Sequence, residues 1–255
     1  MPASYAHYRF GKHLLPDLPA DVRQCIQHFR RMFDAGLQGP DFFFYYNPFF
    51  TTATGKLGQT YHRQSGREFF TAACGAARSE AGRAYLYGLL AHYCLDSACH
   101  PFINRLQEIG EAGHVPLESE FERILMLKDG IAAPHTHHIG KQLKLTRGEC
   151  MTVAEFYPGV TGGQISQSFR FMALFLKLLA HSNRKLQERV LGPTYPKLLE
   201  HRVPTQTDDN LVPYLSELSD LYRQAMAVFP GMLEELNTYL KTGRELGEAF
   251  ASDFG

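Results

Sequence analysis

His92, Asp96 and His100 stand four residues apart in LLAHYCLDSACHPF, residues 89–102, where most other positions are apolar or small. Residues four apart on a helix share a face, so a helix here carries two imidazoles and a carboxylate along one stripe. An ionised carboxylate out of water is costly unless it is paired or holds a metal. Alone, the stripe is also what a satisfied polar core, or a less buried helix, would show. His114 and Glu118 repeat the pair, imidazole then carboxylate at the same spacing. Upstream, His62 precedes Ser65 by three residues at a helix mouth, Asp41 follows Gly39 and Pro40, and His7 lies in the N-terminal arm. These eight side chains are all His, Asp or Glu. Imidazole and carboxylate are the ligands that suit zinc in a hydrolytic site, and clustered oxygens suit bridging between ions. Zinc lowers the pKa of bound water, so the chemistry such a set would support is hydrolysis. Asp96, in the middle of a His-Asp-His stripe, is placed to bridge.

The elements that must position these groups read as helices. Nearly every long segment has helical period, and no hairpin signal stands out. Asp21 to Phe33 is a first amphipathic stretch, and residues 36–64 read as irregular, with the aromatic run DFFFYYNPFF inside them. Ser65 with Glu68 predicts a helix from about residue 66. The run from Ala81 to about Ala98 follows, and Pro101 should end or kink it. Gly113 and Pro116 mark the start of the helix carrying His114 and Glu118. Residues 129–145 read as a loop holding His135, His137 and His138, which are more easily solvated than ligating. Thr152 with Glu155, and Thr161 with Gln164, are further capping patterns, the second opening a long apolar helix over 164–190. Residues 192–209 read as a polar connection, and 210–250 as helix with a break at Phe229-Pro230-Gly231. The expectation is one all-α domain over residues 1–255, with the ligands in 1–125 and a helical C-terminal half completing the bundle.

Composition narrows the function classes. Lys+Arg and Asp+Glu balance at 26 each, so no net field steers an extended polyanion, and extended nucleic acid is not expected as a partner. Five cysteines without paired spacing argue against a disulfide framework. Cys94 and Cys99 are angularly offset from the stripe and read as small buried thiols. The N-terminus has no continuous apolar run of the signal-peptide kind, and the longest apolar run, FMALFLKLLA at 171–180, contains Lys177 and is too short to span a bilayer. The expectation is a cytoplasmic chain without a transmembrane segment.

The order His … Asp … His … His-x3-Asp … His … His-x3-Glu resembles the zinc-dependent phospholipase C family of bacteria, an all-α fold shared with the S1/P1 nucleases. The resemblance covers about the first 125 residues. It implies that Asp41, His62, His92 and Asp96 hold one zinc ion, that His100, His114 and Glu118 hold a second, and that His7 and Asp96 hold a third. The Asp96-to-His100 spacing is shorter than in the best-known secreted members. Those members complete the third site with an N-terminal Trp, and this chain has no Trp. Two zinc ions are therefore expected, with the third site incomplete. The resemblance further implies attack of a metal-activated water on a phosphodiester, with Asp41 orienting that water or acting as general base.

The aromatic run begins at Asp41. Phe42, Phe43, Phe44, Tyr45, Tyr46, Phe49 and Phe50 cannot all be core in an irregular loop. Phe42, Phe44 and Tyr45 are assigned to a substrate pocket, where aromatic faces can cage a cationic head group or stack on a base. The alternative is that they staple the loop to the bundle. The expected substrate is a phosphodiester with a small or lipid-like alcohol. A nuclease or nucleotidase of the S1/P1 kind, or a metal-binding helical scaffold without catalysis, are the alternatives.

Overall fold

The computed structural model describes residues 4–47, 50, 52–193 and 196–255, so Phe49 of the aromatic run lies outside the described residues. The described residues form helices and no strand, as the periodicity predicts. In chain order they are α1 (Ser4–Leu14), α2 (Ala20–His28), α3 (Arg30–Gly36), α4 (Ala53–His62), α5 (Gly66–Ala76) and α6 (Glu80–Glu108). Then come α7 (His114–Lys128), α8 (Arg147–Ala154), α9 (Gly162–Leu179), α10 (Arg184–Leu191), α11 (Pro196–Leu199) and α12 (Val212–Thr242). Helix α6, 29 residues and so about 43 Å long, is the axis. Helices α1, α2, α3, α5, α7, α8 and α12 all pack against it. Its middle, Ala84 to Asp96, is buried on every side, which is why the stretch lacks a polar face.

Pro101 does not end α6, which runs on to Glu108. A proline in a helix interior costs about 3 kcal/mol through one lost hydrogen bond and a ring clash. Here Ile103 and Leu106, past the proline, are buried in the common core, and that packing outweighs the local cost. The expected break at Pro230 is likewise absent: α12 passes through it while Phe229, Met232, Leu233 and Leu236 stay buried. Local proline chemistry loses to tertiary packing in both long helices.

Other boundaries move for equally local reasons. The stretch Asp21 to Phe33 is two helices, parted at Phe29, whose φ of −114° and ψ of 44° are not helical. His7 is in a helix and not an arm. Residues 36–64 are mostly ordered, as a 3-10 helix over Gly39–Tyr45 followed by α4. Thr146 with Glu149, not Thr152 with Glu155, forms the reciprocal capping box of α8, so Thr152 falls inside that helix. Thr161 and Gln164 cap α9 as expected, but the helix stops at Leu179, where buried Gln187 donates to the carbonyls of Leu178 and Leu179. Residues 192–209 include the short helix α11.

Helices α3 and α6 cross at two glycines. A Cβ on Gly88 would lie 2.3 Å from the Phe33 carbonyl oxygen, and one on Gly36 2.2 Å from that of Tyr85. Both obstacles are backbone, so a side chain at either position drives the helices apart. Gly88→Ala gains about 1 kcal/mol of helix propensity but overpacks the crossing by more, since such strain costs about 1–3 kcal/mol and occasionally more. A lowered urea midpoint is expected for Gly88→Ala, and an unchanged or raised midpoint would show that the crossing yields freely.

Candidate metal centre

Five elements converge on one buried place. Helix α6 brings His92, Asp96 and His100, and α7 brings His114 and Glu118 from its first two turns. His7 comes from α1, Asp41 from the 3-10 helix, and His62 is the last residue of α4. Because α6 stays helical to the proline, the four-residue stripe survives intact. Asp96 is the hub: its Oδ1 lies 3.1 Å from His7 Nε2 and 3.6 Å from His100 Nε2, and its Oδ2 lies 2.8 Å from His92 Nε2. His62 Nε2 is 2.8 Å from Asp41 Oδ1. Glu118 Oε1 is 3.4 Å from His100 Nε2 and 3.3 Å from His114 Nε2. Three sets have ligand atoms within 4.8 Å of one another: His7, Asp41 and His92; His62, His92 and Asp96; His100, His114 and Glu118. All eight side chains singled out in the sequence therefore meet. His135, His137 and His138 fall in none of these sets.

The donor set fits a metal on two observations. First, three imidazoles are turned the same way. His62 Nδ1 lies 2.6 Å from the Gly58 carbonyl, His92 Nδ1 3.2 Å from that of Leu37, and His100 Nδ1 2.7 Å from that of Phe254. A carbonyl only accepts, so each Nδ1 carries the proton and each Nε2 presents a lone pair to the cluster. Metal-ligating histidines show this arrangement. Second, His92 Nε2, Asp41 Oδ1 and Asp96 Oδ2 are buried and, despite their short separations, make no hydrogen bond of proper alignment. Lone pairs that sit side by side without a proton between them are set up to share a cation.

Electrostatics agree. Burial opposes ionisation of Asp96, but His100, His92 and His7 outweigh it and hold the carboxyl well below the usual range. Burial likewise opposes ionisation of Asp41, and the His62 ring, with His92, brings it down to about 2. Burial lowers the proton affinity of His100, yet Asp96 and Glu118 raise it to about 9. The carboxylates thus impose a field that seeks positive charge strongly enough to reverse the effect of burial.

Spacing alone did not reveal what holds the ligands. The tail segment Ser252–Phe254 is a strap across the site. The Phe254 amide donates to the His62 carbonyl at 3.1 Å while its own carbonyl takes the His100 Nδ1 proton. Its ring is fully buried against Phe69, Phe70 and Tyr93. Ser252 O accepts from the Gly66 amide and the Tyr93 hydroxyl. Glu122, one turn beyond Glu118, accepts from the Tyr5 and Ala6 amides and so fixes the first turn of α1, which carries His7. Gly39, at φ +45°, leaves room for His92, whose ring a Cβ there would strike at 2.1 Å. Backbone carbonyls leave no mark in a sequence. Glu122 did leave one, since it continues the His114-Glu118 stripe by four residues.

The aromatic residues divide. Phe42 is fully buried, stacked on Phe169 and edge-on to Tyr157. This corrects its assignment to a substrate pocket: the 3-10 helix turns it into the core, the stapling alternative. Phe44 is half-buried with its ring 5.3 Å from that of His62. Tyr45 is buried but lines a small cavity of about 30 Å³ with Glu122, His137, His138 and His201.

Phe254→Ala is expected to loosen His100 and His62 together. Loss of a supporting partner of this kind typically costs about 10–100-fold in metal affinity. Zinc release to a competing chelator should be faster by that order, with helix content by circular dichroism retained. Release at the wild-type rate would show that the strap does not support the ligands.

A family model described as zinc dependent phospholipase C matches residues 6–160 of the 255. No curated protein and no solved structure matches the chain. The matched segment runs from before His7 to Val160, just short of the α9 cap and past the last of the eight convergent side chains. On that match the chain belongs to the zinc-dependent phospholipase C family.

Proposed function

We propose that this chain hydrolyses a phosphodiester bearing a small or lipid-like alcohol, at two zinc ions held by the convergent cluster. In this reading Asp41, His62, His92 and Asp96 hold the first ion, and His100, His114 and Glu118 the second. His7 and Asp96 would serve a third, which has fewer protein ligands. The single observation that carries the reading is the shared orientation of His62, His92 and His100, each with Nδ1 on a carbonyl and Nε2 aimed at buried carboxylates.

Zinc bound there supplies a hydroxide near neutral pH and a Lewis acid for the phosphoryl oxygens. The chain's own residues do the rest. Asp41, held ionised beside the His62 ring, would orient the attacking water at the first ion. Asp96, beside both His92 and His7, would be shared between the first and third sites, its charge offsetting the repulsion between cations held there. The Phe44 ring beside His62 gives an apolar wall, and Tyr45 and Glu122 place polar groups at the neighbouring cavity. A nuclease shares this chemistry. Against it stands the absence of Lys and Arg between Asp41 and Thr54, which leaves no basic track beside Asp41 for a polyanion.

Elemental analysis of protein purified without chelator is expected to find at least two zinc ions per chain. Less than one equivalent after zinc is added back would end the proposal. Asp96→Asn should lose more metal than His114→Ala, because it removes the one carboxylate charge that the first and third sites would share; equal or smaller loss would remove the bridging role. Zinc-loaded protein should turn over a phosphocholine ester or a chromogenic diester faster than single-stranded DNA. With zinc saturating, Asp41→Asn should lower kcat by about 10²-fold or more. DNA as the best substrate would select the nuclease reading, and no turnover of any of the three would select the scaffold.

A further inference from the structure

Helix α9 is apolar on both faces. Ile165, Phe169, Met172, Phe175 and Leu179 are buried, as an amphipathic helix requires. Yet the outward face, read at the same period, carries Phe171, Leu174 and Leu178, and Leu174 is 60% exposed and Leu178 38%. A helix hydrophobic all round is ordinarily covered on both sides. This is the FMALFLKLLA run, the longest apolar run of the chain, and the fold uses only one side of it.

Charge tells what the other side meets. Arg170 and Lys177, two turns apart and both exposed, lie along one edge of the apolar ridge. The loop after His138 runs alongside, with Gly140 close to the Ala173 carbonyl. Burial, then Lys177 and Lys141, lower the proton affinity of His138, which sets both cations beside it. Between Gly130 and Gln187 the chain has seven Lys and Arg and two acids, Glu149 and Glu155, although its totals balance at 26 each. Glu149 is already paired with Arg31 and caps α8. Helix α9 itself has no acidic residue.

We infer that the outward face of α9 docks the protein onto a phospholipid bilayer bearing anionic head groups. Leu174, Leu178 and Phe171 enter the head-group region, and Arg170, Lys177 and Lys141 meet the lipid phosphates. An apolar ridge with a basic edge is what an interfacial helix presents. A second copy of the chain fits this face poorly, because a two-fold contact through α9 sets its cations against their own images. A nucleic acid would satisfy the cations and leave the ridge in water. The inference rests on the lipid-phosphodiester reading for its choice of surface. It also joins the two: under α9, Phe169 stacks on Phe42 and Phe175 meets Tyr45, flanking residues of the segment that carries Asp41.

The test is co-sedimentation of the full chain, zinc-loaded, with vesicles of phosphatidylcholine alone and of phosphatidylcholine with equimolar phosphatidylserine. Binding to the mixed vesicles, weakened by added salt, is expected. Leu174→Asp with Leu178→Asp, and separately Arg170→Glu with Lys177→Glu, should each reduce the bound fraction at least about tenfold. Both variants should keep wild-type turnover of a soluble chromogenic diester. No binding of the wild type, or equal binding by wild type and variants, would overturn the inference. So would a wild-type dimer that the leucine variant makes monomeric, or capture of single-stranded DNA by the same residues in place of vesicles. Vesicle binding is read without turnover, so binding with an inactive enzyme would fault the catalytic reading and leave the surface standing.

Discussion

Three carboxylates, Asp41, Asp96 and Glu118, are buried within reach of one another and of five imidazoles. A carboxylate removed from water has to be answered by positive charge, or it stays protonated or the chain stays open around it. The rest of the structure follows from that constraint. The imidazoles supply the answer only in part, because burial works against their own protonation. His7 shows the opposition plainly, its proton affinity lowered by burial and by His92 even beside Asp96. A centre of this kind is most at ease when cations bring the missing charge, and membership in a zinc-dependent family agrees with that physics.

Holding lone pairs in position without protons between them requires a second layer, and here that layer is main chain. The carbonyls of Leu37, Gly58 and Phe254 each orient one ring. Leu37 is the residue at the end of α3, so the Gly36–Gly88 crossing that lets α3 approach α6 also sets the carbonyl against His92. Glu122 performs the same service for His7 at one remove, by capping the start of α1 from across the site. The ligands are thus fixed by helix-to-helix geometry, and the fold and the centre are one construction.

The C-terminal part of the chain contributes to this centre although it lies beyond the matched family segment. Helix α12 packs along α6, and the segment after it returns to lay Phe254 between His62 and His100. Helix α9 covers the other side, stacked on the aromatic 3-10 helix that carries Asp41. Its outward face leaves Leu174 and Leu178 exposed.

Five of the eight convergent side chains were legible in the sequence because helical spacing is a local property. His92, Asp96 and His100 fall on one stripe whatever surrounds them, and so do His114 and Glu118. The all-α class and the caps at Ser65 and Thr161 were legible for the same reason, each being a matter of a few adjacent residues. What tertiary structure decided is where local rules compete with packing. Pro101 and Pro230 signal breaks that burial of the residues beyond them cancels. Phe42 and Phe44 stand two apart in one aromatic run, yet the turn of the 3-10 helix sends the first into the core and leaves the second beside His62. No residue type announces that the carbonyls of Leu37 and Phe254 will meet imidazoles 55 and 154 residues away. Every residue has a carbonyl, and only the folded chain decides which of them faces a ligand.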